Sequence, residues 1–264
     1  MNNNYIDAIE WNVHGMAGYG NYYIPVRIIV DTILEMNKPK IIILTEFIKS
    51  TGYLDLKSAL NCMGYEVFNT EYEPNTNGIL IALDKTIFDI ECEGMSLEDV
   101  EKKPNYFQIN TTLKNINNEK FSIIGIRIKE GDIKEQLEVG MEYLKKINNR
   151  FICMGDFNAW DSYMEECLND KVMYKQKQKW KMKHKDFKSL TEWSYVFQNG
   201  NKAPLDHIIC KDINLVTYDY IWSFVKNKNG YGYRRPEDYK SDLIGIPDHA
   251  ILYAEFSIKD NCKK

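Results

Sequence analysis

The sequence predicts a layered α/β sandwich in which two mixed β-sheets pack together with helices outside. Three observations lead there. Strand-sized apolar runs, most rich in Ile, Val, Tyr and Phe and bounded by Gly, Asn, Asp or Pro, recur along the whole chain. Three other segments carry apolar residues at helical spacing. Early strands alternate with helices, whereas the middle holds consecutive antiparallel candidates. The 264 residues, 44% of them hydrophobic, supply core for one large domain. With neither an internal repeat nor a linker, residues 1–264 read as a single domain carrying a Lys-rich insertion at about 171–188.

Taken in order, the first strand is expected over Ile6–Val13. Pro25 then sits where a first helical turn would begin, with Ile28, Ile29, Ile33 and Met36 on one face. The run Ile41–Thr45 is the second strand, and a helix over Tyr53–Met63 stops at Gly64. Strands follow at Tyr65–Phe68 and Gly78–Leu83. Tyr106–Leu113 and Phe121–Ile128 bracket a hairpin turn at Asn115–Asn118. A third helix is expected after Asp132, read as its N-cap with Glu135 three residues on, burying Leu137, Met141 and Leu144. Strands at Phe151–Met154, His207–Cys210 and Ala250–Phe256 complete the set, with a short helix after Asp161.

Composition excludes several classes. No apolar run approaches the roughly 18 residues of a membrane helix, and the N-terminus lacks the basic and apolar regions of a secretion signal. The six cysteines contain no C-x-x-C pair, so no structural zinc is expected, and they read as reduced cytoplasmic thiols. A formal charge of −4 argues against a protein that coats DNA. One segment departs from this balance. Lys171, Lys175, Lys177, Lys179, Lys181, Lys183 and Lys185 fall within fifteen residues, and without them the formal charge is −11. This run is either a solvated insertion or an arm that grips a polyanion.

Hydrolysis of a phosphate ester needs a hard cation on oxygen ligands, an oriented water and donors for the phosphate. Polar residues at strand ends can provide them. Asn12 ends the first strand within Trp11-Asn12-Val13-His14-Gly15, and Glu46 directly follows the run Ile41–Thr45. Gly155-Asp156-Phe157-Asn158 follows another strand. Two Asp-His pairs, Asp206-His207 and Asp248-His249, open strands shortly after Pro204 and directly after Pro247. Singly, each is an ordinary turn or cap residue; their joint occurrence at separate strand ends is not.

Over Ile9–Phe256 the chain resembles the endonuclease/exonuclease/phosphatase superfamily, DNase I-like metal-dependent phosphoesterases. Met154-Gly-Asp-Phe-Asn158 is similar to its G-D-F-N motif, and Trp11–Gly15 to its W-N-V-x-G run. Asn77-Gly78-Ile79-Leu80-Ile81 is similar to its N-G-V-A strand, Leu205–Ile208 to its D-H/Y-I strand, and Asp248-His249 to its S-D-H ending. The resemblance implies a four-layer sandwich and a phosphodiesterase, foremost a nuclease for DNA or RNA. A phosphatase or lipid phosphodiesterase on the same scaffold is the alternative, and a silent binding domain the third reading.

It also implies roles. Glu46 with Asn12 would hold Mg²⁺ or Mn²⁺, and Asp248 would help with the metal or orient its neighbour. His249, paired with Asp206, would be a base or a phosphate-contacting acid. Asp156 would orient or deprotonate the water, Asn158 would donate to the phosphate, and Asn77 would stand at the substrate phosphate. Arg127 occupies the position of the family's usual His. It cannot act as a base, so it either grips a phosphate oxygen or pairs with an acid such as Glu46 or Asp84. Lys175, Lys177, Lys179, Lys181, Tyr233 and Arg234 are the expected contacts to nucleic acid.

Overall fold

The computed structural model describes residues 5–13, 26–48, 52–70, 77–90, 95–96, 103–114, 120–160, 162–164, 174–175, 192–224, 226–227, 230–232 and 248–258. In chain order the elements are β1 (Tyr5–Asn12), α1 (Val26–Glu35), β2 (Ile41–Phe47), α2 (Tyr53–Cys62), β3 (Tyr65–Asn69), β4 (Gly78–Asp84), β5 (Phe88–Ile90), β6 (Met95–Ser96), β7 (Asn105–Leu113) and β8 (Lys120–Arg127). There follow α3 (Ile133–Lys145), β9 (Arg150–Asp156), β10 (Tyr174–Lys175), β11 (Tyr195–Val196), β12 (Lys202–Ala203), β13 (Asp206–Lys211), β14 (Asn214–Ile221), β15 (Lys226–Asn227), β16 (Gly230–Tyr231) and β17 (Ile251–Ser257).

Two mixed sheets carry the fold. The first runs β14-β17-β1-β2-β4-β3, and the second β10-β13-β9-β8-β7-β5 with β6 beside β7. β1 lies parallel to β2, and β8 parallel to β9; the other neighbours within these two sheets are antiparallel. Alternation sends one set of side chains from each sheet into a shared core that includes Ile43, Ile81, Ile123, Ile152, Ile208 and Leu252. The outer face of the first sheet packs Ile42 and Leu80 against Ile33 of α1 and Leu60 of α2. The outer face of the second packs Ile124 and Cys153 against Leu137 and Leu144 of α3. The layer order is therefore helix, sheet, sheet, helix, as expected.

Several details differ from the sequence expectation. β9 and β13 extend to Asp156 and Asp206, so these acids belong to the sheet rather than to the loops beyond it. Asp132 does stand at the N-cap of α3, but its side chain makes no capping bond. β14 was not anticipated. It is an edge strand whose buried residues gather at one end, Asp219, Tyr220 and Ile221, so neither clean alternation nor a continuous apolar run marks it. A single helical turn at 162–164 stands for the short helix after Asp161. The turn at Asn115–Asn118 lies outside the described residues, although β7 and β8 pair antiparallel on either side of it. Cys153 and Cys210 are buried and Cys62 is exposed, all three as free thiols. Among the described residues no helix is long and apolar enough to cross a membrane.

Candidate active site

The polar strand ends meet along the seam between the two sheets. β1 delivers Asn12 beside Thr45 of β2 in parallel register. The next residue, Glu46, has a left-handed backbone (φ 51°) inside a register shift of the β2–β4 pairing between Leu44 and Phe47. Such an irregularity turns a side chain away from the regular alternation, and the strained φ is tolerated where surrounding contacts hold it. Asn158 has the same backbone hand (φ 46°) just past β9. Gly155 is obligatory for a different reason. A Cβ there would lie 1.8 Å from the Ile126 carbonyl oxygen of the neighbouring parallel strand.

Glu46 is the hub. Its Oε1 accepts Asn12 Nδ2 (3.2 Å) and Arg127 Nε (2.9 Å), with the Arg127 terminal nitrogen at 2.7 Å. Its Oε2 accepts Asn77 Nδ2 at 3.4 Å, and the Asn105 amide holds the Asn77 carbonyl from below. Of the two roles open to Arg127, the pair with Glu46 is the one seen; Asp84 pairs with Lys40 instead. Asn12 also donates to Asp156 Oδ2 at 3.0 Å, joining the sheets. Asp156 accepts the Asn158 backbone N–H (2.9 Å) and side-chain amide (3.2 Å), and that amide also donates to the Ile128 carbonyl (2.7 Å).

Asp206 and His249 come together from 43 positions apart. Nδ1 of His249 donates to Asp206 Oδ2 at 2.8 Å, and both are buried. Residues unremarked in the sequence hold this pair. Ser194 Oγ accepts the Leu205 and Asp206 backbone N–H groups, and Tyr220 donates its hydroxyl to the Asp206 carbonyl at 2.6 Å. Tyr195 lies across His249, ring centroids 4.7 Å apart. Asp248 is buried alongside.

Burial and neighbours set the charges. Burial pushes Asp156 up to about 7, with His249 pulling in the opposite direction. Burial also disfavours charge on His249, but the Asp206 carboxylate and its hydrogen bond outweigh it and hold the imidazole well above its ordinary range. Glu10 was missed entirely by the sequence reading. It is fully buried two residues before Asn12; its Oε1 accepts Thr45 Oγ1 at 2.6 Å, and its Oε2 has no hydrogen-bond partner. Burial, reinforced by Asp206, raises its pKa far above the carboxylate range. Its signal was parity, because Glu10 shares a strand face with Asn12.

The donor set suits a hard cation. Asp156, Asp206 and His249 place ligand-type atoms within 4.8 Å of one another, next to the Asn12–Glu46 pair; with the imidazole held protonated, it is the oxygens of this group that suit the ion. Asp206 Oδ1 is buried without a hydrogen-bond partner, as an oxygen awaiting a cation or a water would be. Lys175 lies on β10, opposite Ile209 of β13, and β10 runs toward the end of β13 that carries Asp206. Lys177, Lys179, Lys181, Tyr233 and Arg234 lie outside the described residues.

This architecture is a DNase I-like four-layer α/β sandwich, the fold of the solved structures it is similar to. Among solved structures it is similar to Danio rerio TDP2 complexed with a single-strand DNA product, at 16% identity and a TM-score of 0.68, over 96% of this chain and 98% of that one. It is likewise similar to the human Nocturnin catalytic domain with bound sulfate (16% identity, TM-score 0.66, 97% and 94% covered). A Bacteroides thetaiotaomicron mannosyl-6-phosphatase superposes equally well (14% identity, TM-score 0.68, 95% and 99% covered). No protein-family model matches the chain, and no curated protein matches it.

Proposed function

We propose that the chain is a divalent-metal-dependent phosphodiesterase acting on nucleic acid. The observation that carries this is the convergence of Asn12–Glu46, Asp156–Asn158 and Asp206–His249 at one buried seam. Glu46 and Asn12 would hold Mg²⁺ or Mn²⁺, with Asp248 helping with the metal or orienting its neighbour His249, and the ion would supply charge neutralisation at the phosphate oxygens. Asp156, poised near neutrality by burial, accepts the proton of the attacking water. Asn158 fixes the orientation of Asp156 through two hydrogen bonds, and its side-chain amide would donate to the phosphate by exchanging its bond to Asp156 or to the Ile128 carbonyl. His249, kept cationic by Asp206, is suited to contact a phosphate oxygen through Nε2 rather than to serve as the base. Arg127 and Asn77 both reach Glu46 and so stand at the place where that phosphate would meet the metal.

Nucleic acid is favoured as substrate by the lysine run, whose leading strand points toward the site, and by the DNA-bound state of the TDP2 relative. A sugar-phosphate monoester is the second reading, favoured by the mannosyl-6-phosphatase likeness. The test is incubation with Mg²⁺ and plasmid, single-stranded DNA, RNA, an inositol polyphosphate, sphingomyelin or mannose 6-phosphate. Glu46→Gln is the control, because Gln keeps the shape of the hub but removes its charge. Turnover of a nucleic acid that Glu46→Gln abolishes supports the reading. Glu46→Gln activity within about threefold of the parent refutes the metal assignment.

A further inference from the structure

A groove of about 870 Å³ opens beside Asn158, and none of the reacting groups except Asn158 lines it. One wall is Asn158, Ala159, Trp160 and Tyr163; the other is the start of α3, with Asp132, Lys134, Glu135 and Glu138. Trp160 and Tyr163 are 49% and 48% exposed, whereas Trp11 and Trp222 are sealed in the core. The Met164 N–H bonds the Trp160 carbonyl at 3.1 Å, closing a helical turn. On such a turn positions three apart are neighbours, so the two rings are presented together. Large rings left half in water this close to a reacting centre form a stacking platform.

Charge decides what the platform receives. The α3 wall carries Asp132 and Glu138 against Lys134, and the Asp132 side chain is not spent on capping its own helix. A phosphodiester chain is repelled there. A planar, uncharged ring bearing N–H donors is not, since carboxylates accept from exocyclic amino groups. We infer that this groove is a nucleobase subsite. Trp160 and Tyr163 stack the base of the nucleotide adjoining the scissile phosphate, and the carboxylates opening α3 select bases with an exocyclic amino group over thymine and uracil. The inference rests on the phosphodiesterase reading and adds to it where the flanking base sits and which bases it prefers.

The test compares three dinucleotide-sized phosphodiesters carrying cytosine, thymine or an abasic residue beside the cleaved bond, with parent, Trp160→Ala, Trp160→Phe and Asp132→Asn/Glu138→Gln. For the parent, kcat/KM should fall in the order cytosine, thymine, abasic. Trp160→Ala should shrink the cytosine-to-abasic ratio about tenfold, the size of one lost stack, and Trp160→Phe should retain most of it. The paired carboxamide variant should erase the cytosine-over-thymine preference while keeping the preference over abasic substrate. Equal rates on cytosine and abasic substrates, or an equal loss on both in Trp160→Ala, overturn the subsite. Cleavage of mannose 6-phosphate that depends on Trp160, with no base preference, reassigns the platform to a sugar ring and also overturns it. If the parent cleaves none of them, the phosphodiesterase reading fails, and cytidine monophosphate binding is then measured by calorimetry. Binding weakened at least fivefold by Trp160→Ala upholds the subsite; no binding to the parent refutes it.

Discussion

If the chain hydrolyses phosphodiesters as proposed, removing either member of the Asp206–His249 pair should cost nearly as much activity as removing both. The carboxylate oxygen lies 2.8 Å from His249 Nδ1, and both residues are buried. For charge centres about 4 Å apart and an effective dielectric constant of about 20, the attraction is about 4 kcal/mol. That equals roughly three decades, within the range of two to four decades typical of acid–base groups. Asp206→Asn leaves a hydrogen bond but no charge to hold the imidazolium, so His249 loses its proton at neutral pH. His249→Ala removes the cation itself. Each single variant should lose about 10²–10⁴ in kcat, and the double variant hardly more than the worse single, because both delete one function. The assay is steady-state hydrolysis of a dinucleotide at saturating Mg²⁺. Urea melts run alongside it, since breaking a buried pair costs about 3–5 kcal/mol and unfolding must be separated from loss of chemistry. Multiplicative losses in the double variant would mean that the two residues act independently.

Further outcomes follow from other contacts. Arg127 competes with any cation for Glu46 Oε1, so Arg127→Ala should tighten Mn²⁺ binding, read as free Mn²⁺ by electron paramagnetic resonance; an unchanged Kd places guanidinium and metal on different sides of the carboxylate. Burial raises Asp219 from the ordinary carboxyl range to about 7, with its hydrogen bond from the Tyr220 N–H opposing the shift. Between pH 4 and 7 the folded state therefore holds a proton that the unfolded chain has released, and stability falls as pH rises through that window. Asp219→Asn should raise stability at pH 8 by up to about 4 kcal/mol and change little at pH 4; a pH-independent gain in urea melts would contradict this. Replacing Lys175, Lys177, Lys179 and Lys181 by Ser should flatten the log–log salt dependence of nucleic-acid binding by roughly two to four units, and an unchanged slope removes the lysine run from the binding surface.

The fold was legible, and most residues of the candidate site could be named, because both depend on local pattern. Apolar runs ending in Asn12, Glu46 and Asp156 mark strands whose last residues leave the core. What was not legible depends on the second sheet. Glu10 sits in a strand that also carries Asp7, and only the arrival of β9 and β13 over its face makes it a buried acid beneath the site. Ser194 and Tyr220 serve Asp206 through backbone atoms, which no residue spacing advertises. Arg127 is a middle case. Its identity already narrowed it to a phosphate or an acid, but the choice of Glu46 came from the packing of β8 against β2, 81 positions away.

Three of the cross-sheet links, Asn12 to Asp156, Arg127 to Glu46 and His249 to Asp206, do more than assemble reactive groups. They are also the rivets at one rim of the sandwich, where apolar interdigitation gives way to polar strand ends. Any ligand that recruits these side chains must loosen rivets in order to be held. Occupancy should therefore register as altered amide-exchange rates at the tips of β1, β2, β9 and β13, while the middle of each strand keeps its protection.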